Sequence, residues 1–259
     1  MSRIFFRFAL FLFLPVLLTA QATTASRTTT GEGNAWIIPI QGDIEPALTA
    51  FVRREARKAI SQGAEYLIFE IDTFGGRVDS ALQITSFIMS VKNARTIAWI
   101  NNSENSMGVS WSAGAIIAFS CAEIYMAPGT SMGAAAPVMA GPAGSMESAG
   151  EKAVAAVRSQ MAALAERNGH PAGIALAMVD YDVELWEVSV NGEIKALTLP
   201  ELERLEKEAD ANGGTPARDL TWTLFARSPN DVSRRMTPPG ARLIPAKLNA
   251  AKVRQNCGM

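Results

Sequence analysis

Histidine occurs once in the 259 residues and cysteine twice, too few for an ordinary Cys/His zinc site or a disulfide framework. No metal and no cofactor is expected. Charge of one sign is not in excess: 24 Lys and Arg against 25 Asp and Glu leave a formal −1. Such a chain has no field to hold a phosphate backbone, which argues against nucleic acid as a partner. From Thr23 onward no apolar run reaches the roughly 20 residues needed to cross a bilayer. What is present, 48% hydrophobic and 19% charged residues, is the composition of a globular protein with a sizeable core, and wholesale disorder is excluded.

Residues 1–22 read as a targeting segment. Arg3 and Arg7 precede an apolar run from Phe8 to Leu18, and Ala20-Gln21-Ala22 follows, the pattern of a secretory signal cleaved after Ala22. An uncleaved anchor is the alternative, although the run is short for a spanning helix. Export would place the mature chain in the periplasm or outside, soluble or peripherally membrane-associated. Residues 23–34, rich in Thr, Ser and Gly, read as a flexible lead-in.

Strand and helix patterns then alternate. Ala35 to Ile40, Tyr66 to Asp72, Thr96 to Ile100 and Glu123 to Met126 have the apolar density of buried strands. Glu45 to Ser61, Val78 to Val91, Ala115 to Phe119 and Glu151 to Asn168 carry helical spacing, the last stopped by Gly169 at a C′ position. This alternation predicts an α/β domain over residues 35–180, with a mostly parallel sheet and helices packed on it. After Tyr181 the stretch VELWEVSV alternates, Asn191-Gly192 signals a hairpin, and Thr198 and Glu201 have capping-box spacing. Residues 181–226 therefore read as a small C-terminal α+β appendage. Residues 227–259 hold seven basic residues and one acidic without any period, and read as a disordered tail. It is either a natural solvated extension or a truncated end.

The single His170 lies in a Gly-His-Pro turn, where a surface role is the ordinary reading and a Ser-His-Asp triad would need the loop to reach a nucleophile. Acyl transfer then falls to Ser activated by Lys. Ser112, in Trp111-Ser112-Ala113-Gly114, sits where a loop enters a helix between small residues; it is a nucleophile position or a plain N-cap. Ser106, Ser110 and Ser131 compete for the same role. The Gly75-Gly76 turn and the Ala113 amide can offer N–H groups to a developing oxyanion. Lys152 opens a helix at its positive end, a misfit that together with burial would favour a neutral amine, unless it is exposed or paired with Glu151. The nearly uncharged stretch Pro128 to Gly150, with Met132, Met139 and Met146, can line an apolar groove or pack within an oligomer.

In order along the chain, Asp72-Thr73-Phe74-Gly75-Gly76, Ser112-Ala113-Gly114, the run Met126 to Val138 and Glu151-Lys152 resemble the NfeD-type, ClpP-class membrane-associated serine proteases. The resemblance covers about residues 36–180, and VELWEVSVNG is similar to the region following the protease core in long family members. It implies a ClpP/crotonase-like fold of stacked βαβ units and a Ser/Lys dyad made of Ser112 and Lys152. It further implies an oxyanion turn at Gly75 and Gly76 with Ala113, and a substrate groove along Met132, Gly133, Pro137 and Val138. Hydrophobic peptide segments are the implied substrate, stomatin-like membrane proteins the implied partners, and a dimer or larger ring the implied assembly. Phe74 departs from the family pattern, which has Pro there. The membrane helices and small β-barrel that follow in long members have no counterpart in this sequence. Two rival functions stand beside the protease: a crotonase-type acyl-CoA enzyme, which export disfavours, and a catalytically silent scaffold for stomatin-like partners.

Overall fold

Apolar residues in the strands and on one stripe of each helix converge on a central parallel sheet. The computed structural model describes residues 34–142, 145–190, 193–211, 221–226 and 252–255. Strands β1 (Asn34–Gln41), β2 (Tyr66–Asp72), β3 (Arg95–Ile100) and β5 (Glu123–Met126) join β12 (Lys252–Gln255) in the order β12-β1-β2-β3-β5. Every pairing in it is parallel. Between these strands run α1 (Pro46–Ser61), α2 (Val78–Ser90) and α3 (Ala113–Phe119). Pro46 suits the first turn of α1, where its missing N–H costs no bond. Ile38, Ile40, Leu67, Phe69 and Ile71 are fully buried and share a core with Val52, Ala56, Ile84 and Ile88 of the helices, while all seven residues of α3 are buried. Strand ends are level: Gln41 pairs with Asp72 and Ile100 with Met126. The loops leaving their C-terminal ends therefore gather on one side, where open parallel sheets place their sites.

Short elements absent from the expected pattern build the rest. β4 (Val109–Trp111) pairs in parallel with β6 (Ser131–Gly133), and β7 (Val138–Ala140) pairs antiparallel with β8 (Met146–Ser148). Helix α4 (Glu151–Asn168) ends at Gly169 in the left-handed region, φ 72, with the His170 amide donating to the Ala165 carbonyl at 2.9 Å. This is the glycine stop that the sequence expects. α5 (Ala172–Ala177) then leads into an antiparallel sheet, β10-β9-β11, of β9 (Leu185–Val190), β10 (Glu193–Thr198) and β11 (Thr221–Ala226). α6 (Leu199–Ala211) starts with the expected capping box, since the Thr198 amide donates to Glu201 Oε2 at 2.8 Å. Leu185 belongs to the main core, and Gly173 lets α5 approach Thr198 and Leu185 closely. The appendage is thus a separate sheet packed on the body.

One expectation for the tail changes. Lys252–Gln255 is an edge strand on β1, beginning with Asn34 opposite Lys252, whereas the rest of 227–259, the signal and most of the lead-in, and the Asn191-Gly192 turn lie outside the described residues. Among the described residues no helix is long and apolar enough to cross a membrane, and no group of three or more His, Cys, Asp or Glu is placed to hold a metal ion.

Candidate active site

β2 ends at Asp72, and the turn after it is fixed by side chains before any substrate arrives. The buried Asp72 carboxylate accepts the Met107 amide at 2.9 Å and the Val109 amide at 3.3 Å. Thr73, fully buried, donates its hydroxyl to the Gly42 carbonyl at 2.5 Å and accepts the Gly75 amide at 2.9 Å. Backbone bonds from Thr73 N to Val109 O and from Trp111 N to Thr73 O, 2.9 and 3.0 Å, then hold β4 against this turn. Neither Asp72 nor Thr73 stood out from the sequence as more than motif members, because both partners of Asp72, and the Gly42 partner of Thr73, lie more than 30 residues away.

Ser112 follows β4 and immediately precedes α3. Its backbone lies at φ 51, ψ −117, and its side chain makes no cap hydrogen bond. A non-glycine residue held at positive φ is strained, and such strain persists only where the surroundings fix it. Here the Ser112 amide donates to the Gly133 carbonyl at 2.8 Å and its carbonyl accepts the Ala115 amide at 3.0 Å. Gly75, at φ 121, lies so close that an added Cβ would stand 2.6 Å from Ser112 Cβ, 3.0 Å from Oγ and 3.4 Å from the Ala113 amide nitrogen. Ser112, Gly75 and Ala113 therefore form one cluster. Gly114 is small for a reason internal to the fold: a Cβ there would stand 2.7 Å from Thr73 Cγ2.

The rival serines are engaged or inaccessible. Ser106 donates to the Asn101 carbonyl and accepts the Gly108 amide. Ser131 accepts the Trp111 indole N–H at 2.8 Å. Ser110 is fully buried, with no hydrogen-bond partner for its hydroxyl among the described residues. His170 binds the Cys121 carbonyl through Nε2 at 2.8 Å and packs edge-on against Phe119, an anchor for the chain after α4.

Of the expected oxyanion donors, the Gly75 amide is taken by Thr73, whereas the Gly76 and Ala113 amides have no protein partner among the described residues. Of the expected groove residues, Met132 is a correction: the β6 pleat turns it inward, and it is fully buried in the main core. Gly133 is also buried, Pro137 is half-buried and Val138 exposed; Met139 and Met146 stand exposed on the β7–β8 hairpin.

Lys152 stands exposed in the first turn of α4, not buried, and among the described contacts none joins it to Ser112. Its neighbour Glu151 is engaged by Arg158 at 2.9 Å, and Arg158 also pairs with Asp180. Hydrogen bonds to Asp180 and then Glu151 raise the Arg158 guanidinium pKa above its usual value. One arginine thus ties the turn that carries Lys152 to the segment just after α5. Arg158→Ala should lower Tm by a few degrees and speed hydrogen exchange in the first turn of α4, measured by thermal melting and exchange mass spectrometry.

Cys121 is fully buried, and that burial pushes its thiol pKa far up. In a Cys257→Ser background a thiol reagent should leave the native protein unmodified and react stoichiometrically only after denaturation.

A parallel sheet wrapped by helices, with a strained serine against a glycine turn at the strand ends, defines a ClpP-like α/β fold. The chain belongs to the NfeD1b family, whose N-terminal domain model matches residues 34–211. Membrane protein NfeD1b of Bacillus subtilis (strain 168) is 34% identical over 184 residues, which is 71% of this chain and 39% of that protein. The chain thus spans about two fifths of that relative's length. Two solved structures share the fold. One is a serine-to-alanine variant of the 1510-N membrane-bound stomatin-specific protease, with TM-score 0.58, 23% identity, and coverage of 88% of this chain and 99% of that one. The other is a lysine-to-alanine variant of the same protease in complex with a substrate peptide, with TM-score 0.58, 24% identity, and coverage of 88% and 94%.

Proposed function

We propose that the protein is a serine endopeptidase in which Ser112 is the nucleophile and Lys152 the general base. The observation that carries this reading is the backbone of Ser112, held at φ 51 beside a glycine that leaves its hydroxyl uncovered, with no capping bond to occupy it. A plain N-cap needs none of that strain. The variants of the 1510-N protease replace a serine and a lysine whose spacing in that chain is within one residue of the 40 positions between Ser112 and Lys152. Two backbone bonds also connect the regions: Gly133 accepts the Ser112 amide, and Pro137 accepts the amide of Ala149, three residues before Lys152.

In this mechanism the neutral Lys152 amine takes the Ser112 Oγ proton as the oxygen attacks a peptide carbonyl. The Gly76 and Ala113 amides donate to the oxyanion, and the Gly75 amide keeps the turn rigid through Thr73. The departing amine receives the proton from Lys152. Water activated by the same lysine then releases the acyl group and restores both side chains. A peptide laid over Gly133, Pro137 and the hairpin would shield the reacting groups from bulk water. Apolar segments suit a surface that presents Val138, Met139 and Met146. Stomatin-like membrane proteins, the target printed for the 1510-N protease, suit this reading as their source, met by an exported, peripherally membrane-associated dimer or larger ring.

A fluorophosphonate probe tests the assignment. The intact folded protein should be labelled at one site, mapped to Ser112 by peptide mass, and Ser112→Ala should not be labelled. No labelling of the intact protein would overturn the enzyme and favour a silent scaffold; turnover of acyl-CoA thioesters without peptide cleavage would favour the crotonase-type reading.

A further inference from the structure

Large apolar side chains left in water usually mark a contact surface, and one of them, Phe74, lies beside the Ser112 turn. Phe74 is 58% exposed although it lies between the fully buried Thr73 and Gly75. Its ring packs on Trp111 at 5.3 Å between centroids with the planes tilted by 53°. The indole is itself held by its hydrogen bond to Ser131. Phe74 directly precedes the glycine that touches Ser112, and Trp111 directly precedes Ser112 itself, so both rings are tethered one residue from the reacting cluster. Val78 and Leu82, one helical turn apart on α2, and Met107, on the loop pinned by Asp72, are exposed as well, at 41%, 37% and 52%.

We infer that Phe74, backed by Trp111, is a specificity-determining residue: its exposed face receives a large apolar side chain of the residue flanking the scissile bond. The inference rests on the endopeptidase reading, with Phe74 supplying selectivity and no part of the chemistry. An aromatic ring locked on a second ring offers apolar area with little rotamer entropy left to lose, which suits recognition of Leu or Phe over Gly. Backbone donors near Ser112 act on any peptide alike and cannot provide that preference.

Two peptides of one sequence, with Leu or Gly flanking the scissile bond, provide the test. With active protein, Phe74→Ala should lower kcat/KM for the Leu peptide about tenfold and leave the Gly peptide and the fluorophosphonate labelling rate unchanged, while Phe74→Leu recovers most of the loss. With Ser112→Ala protein, which needs no turnover, the Kd of the Leu peptide should rise about tenfold when Phe74→Ala is added, the Gly peptide again being unchanged. Equal effects on both peptides, or none, overturn the inference. So does an altered oligomeric state with unchanged preference, which would assign the ring to a subunit contact. Failure of the intact protein to label defeats the enzyme reading alone, and the binding arm then decides the role of Phe74.

Discussion

Ser112→Ala and Lys152→Ala should each lower peptide hydrolysis by about 10⁴-fold or more, and the double variant should be no slower than either single one. Groups that act as a unit lose their joint effect when either is removed, so non-additivity is the signature of a dyad. Additive losses would instead mean two independent contributions and would count against proton transfer between them. Folding should be little affected. Ser112 is half-buried and Lys152 exposed, neither side chain has a described hydrogen bond to lose, and a smaller residue at Ser112 asks nothing more of its backbone. Melting curves superimposable on the parent, with kcat reduced and Kd for substrate retained, are the expected pair of measurements.

The largest stability effect should come from Gly76→Ala. A methyl group at this position would stand 2.5 Å from both the nitrogen and the oxygen of Ile44. Those atoms cannot step aside, because Ile44 N donates to Gly75 O and Ile44 O accepts Arg77 N, each at 2.8 Å. The Gly76 backbone, at φ 148, adds conformational strain of its own. The substitution should cost about 3–5 kcal/mol and lower Tm by roughly 10 °C or more, read by calorimetry. Gly63→Ala is the control. Its φ of 77 is also positive, but nothing lies within 4 Å of the new methyl, so only the backbone penalty of about 1–2 kcal/mol remains. Equal losses at the two positions would show that close approach to Ile44 is not what demands Gly76.

The parallel layer was legible because its signals are local. Tyr66–Asp72, Glu123–Met126 and Glu151–Asn168 have the bounds that periodicity and the Gly169 stop imply. The three-residue strands β4, β6, β7 and β8 were not, since such a length carries no measurable alternation and depends on partners elsewhere. The site divides in the same way. As a motif, Ser112 was visible, but an N-cap and a nucleophile look alike in Trp-Ser-Ala-Gly; the φ of 51, the missing capping bond and the Gly75 contact, 37 positions upstream, exist only in three dimensions and argue against a plain cap. Met132 was misplaced because a Met- and Gly-rich stretch looks like a lining, whereas its position on β6 sends it inward. The pairing considered for Lys152 with Glu151 failed because Arg158, two turns further along the same face of the helix, reaches that carboxylate.

The bond between the Ser112 amide and the Gly133 carbonyl has a mechanical consequence. Two residues further on, the Ala135 amide hangs on the Met178 carbonyl at 2.8 Å, just after α5. The strained backbone of Ser112, the end of β6 and the segment just after α5 are thus joined in one run of main-chain hydrogen bonds, so a shift of either outer part would bear directly on the Ser112 peptide unit.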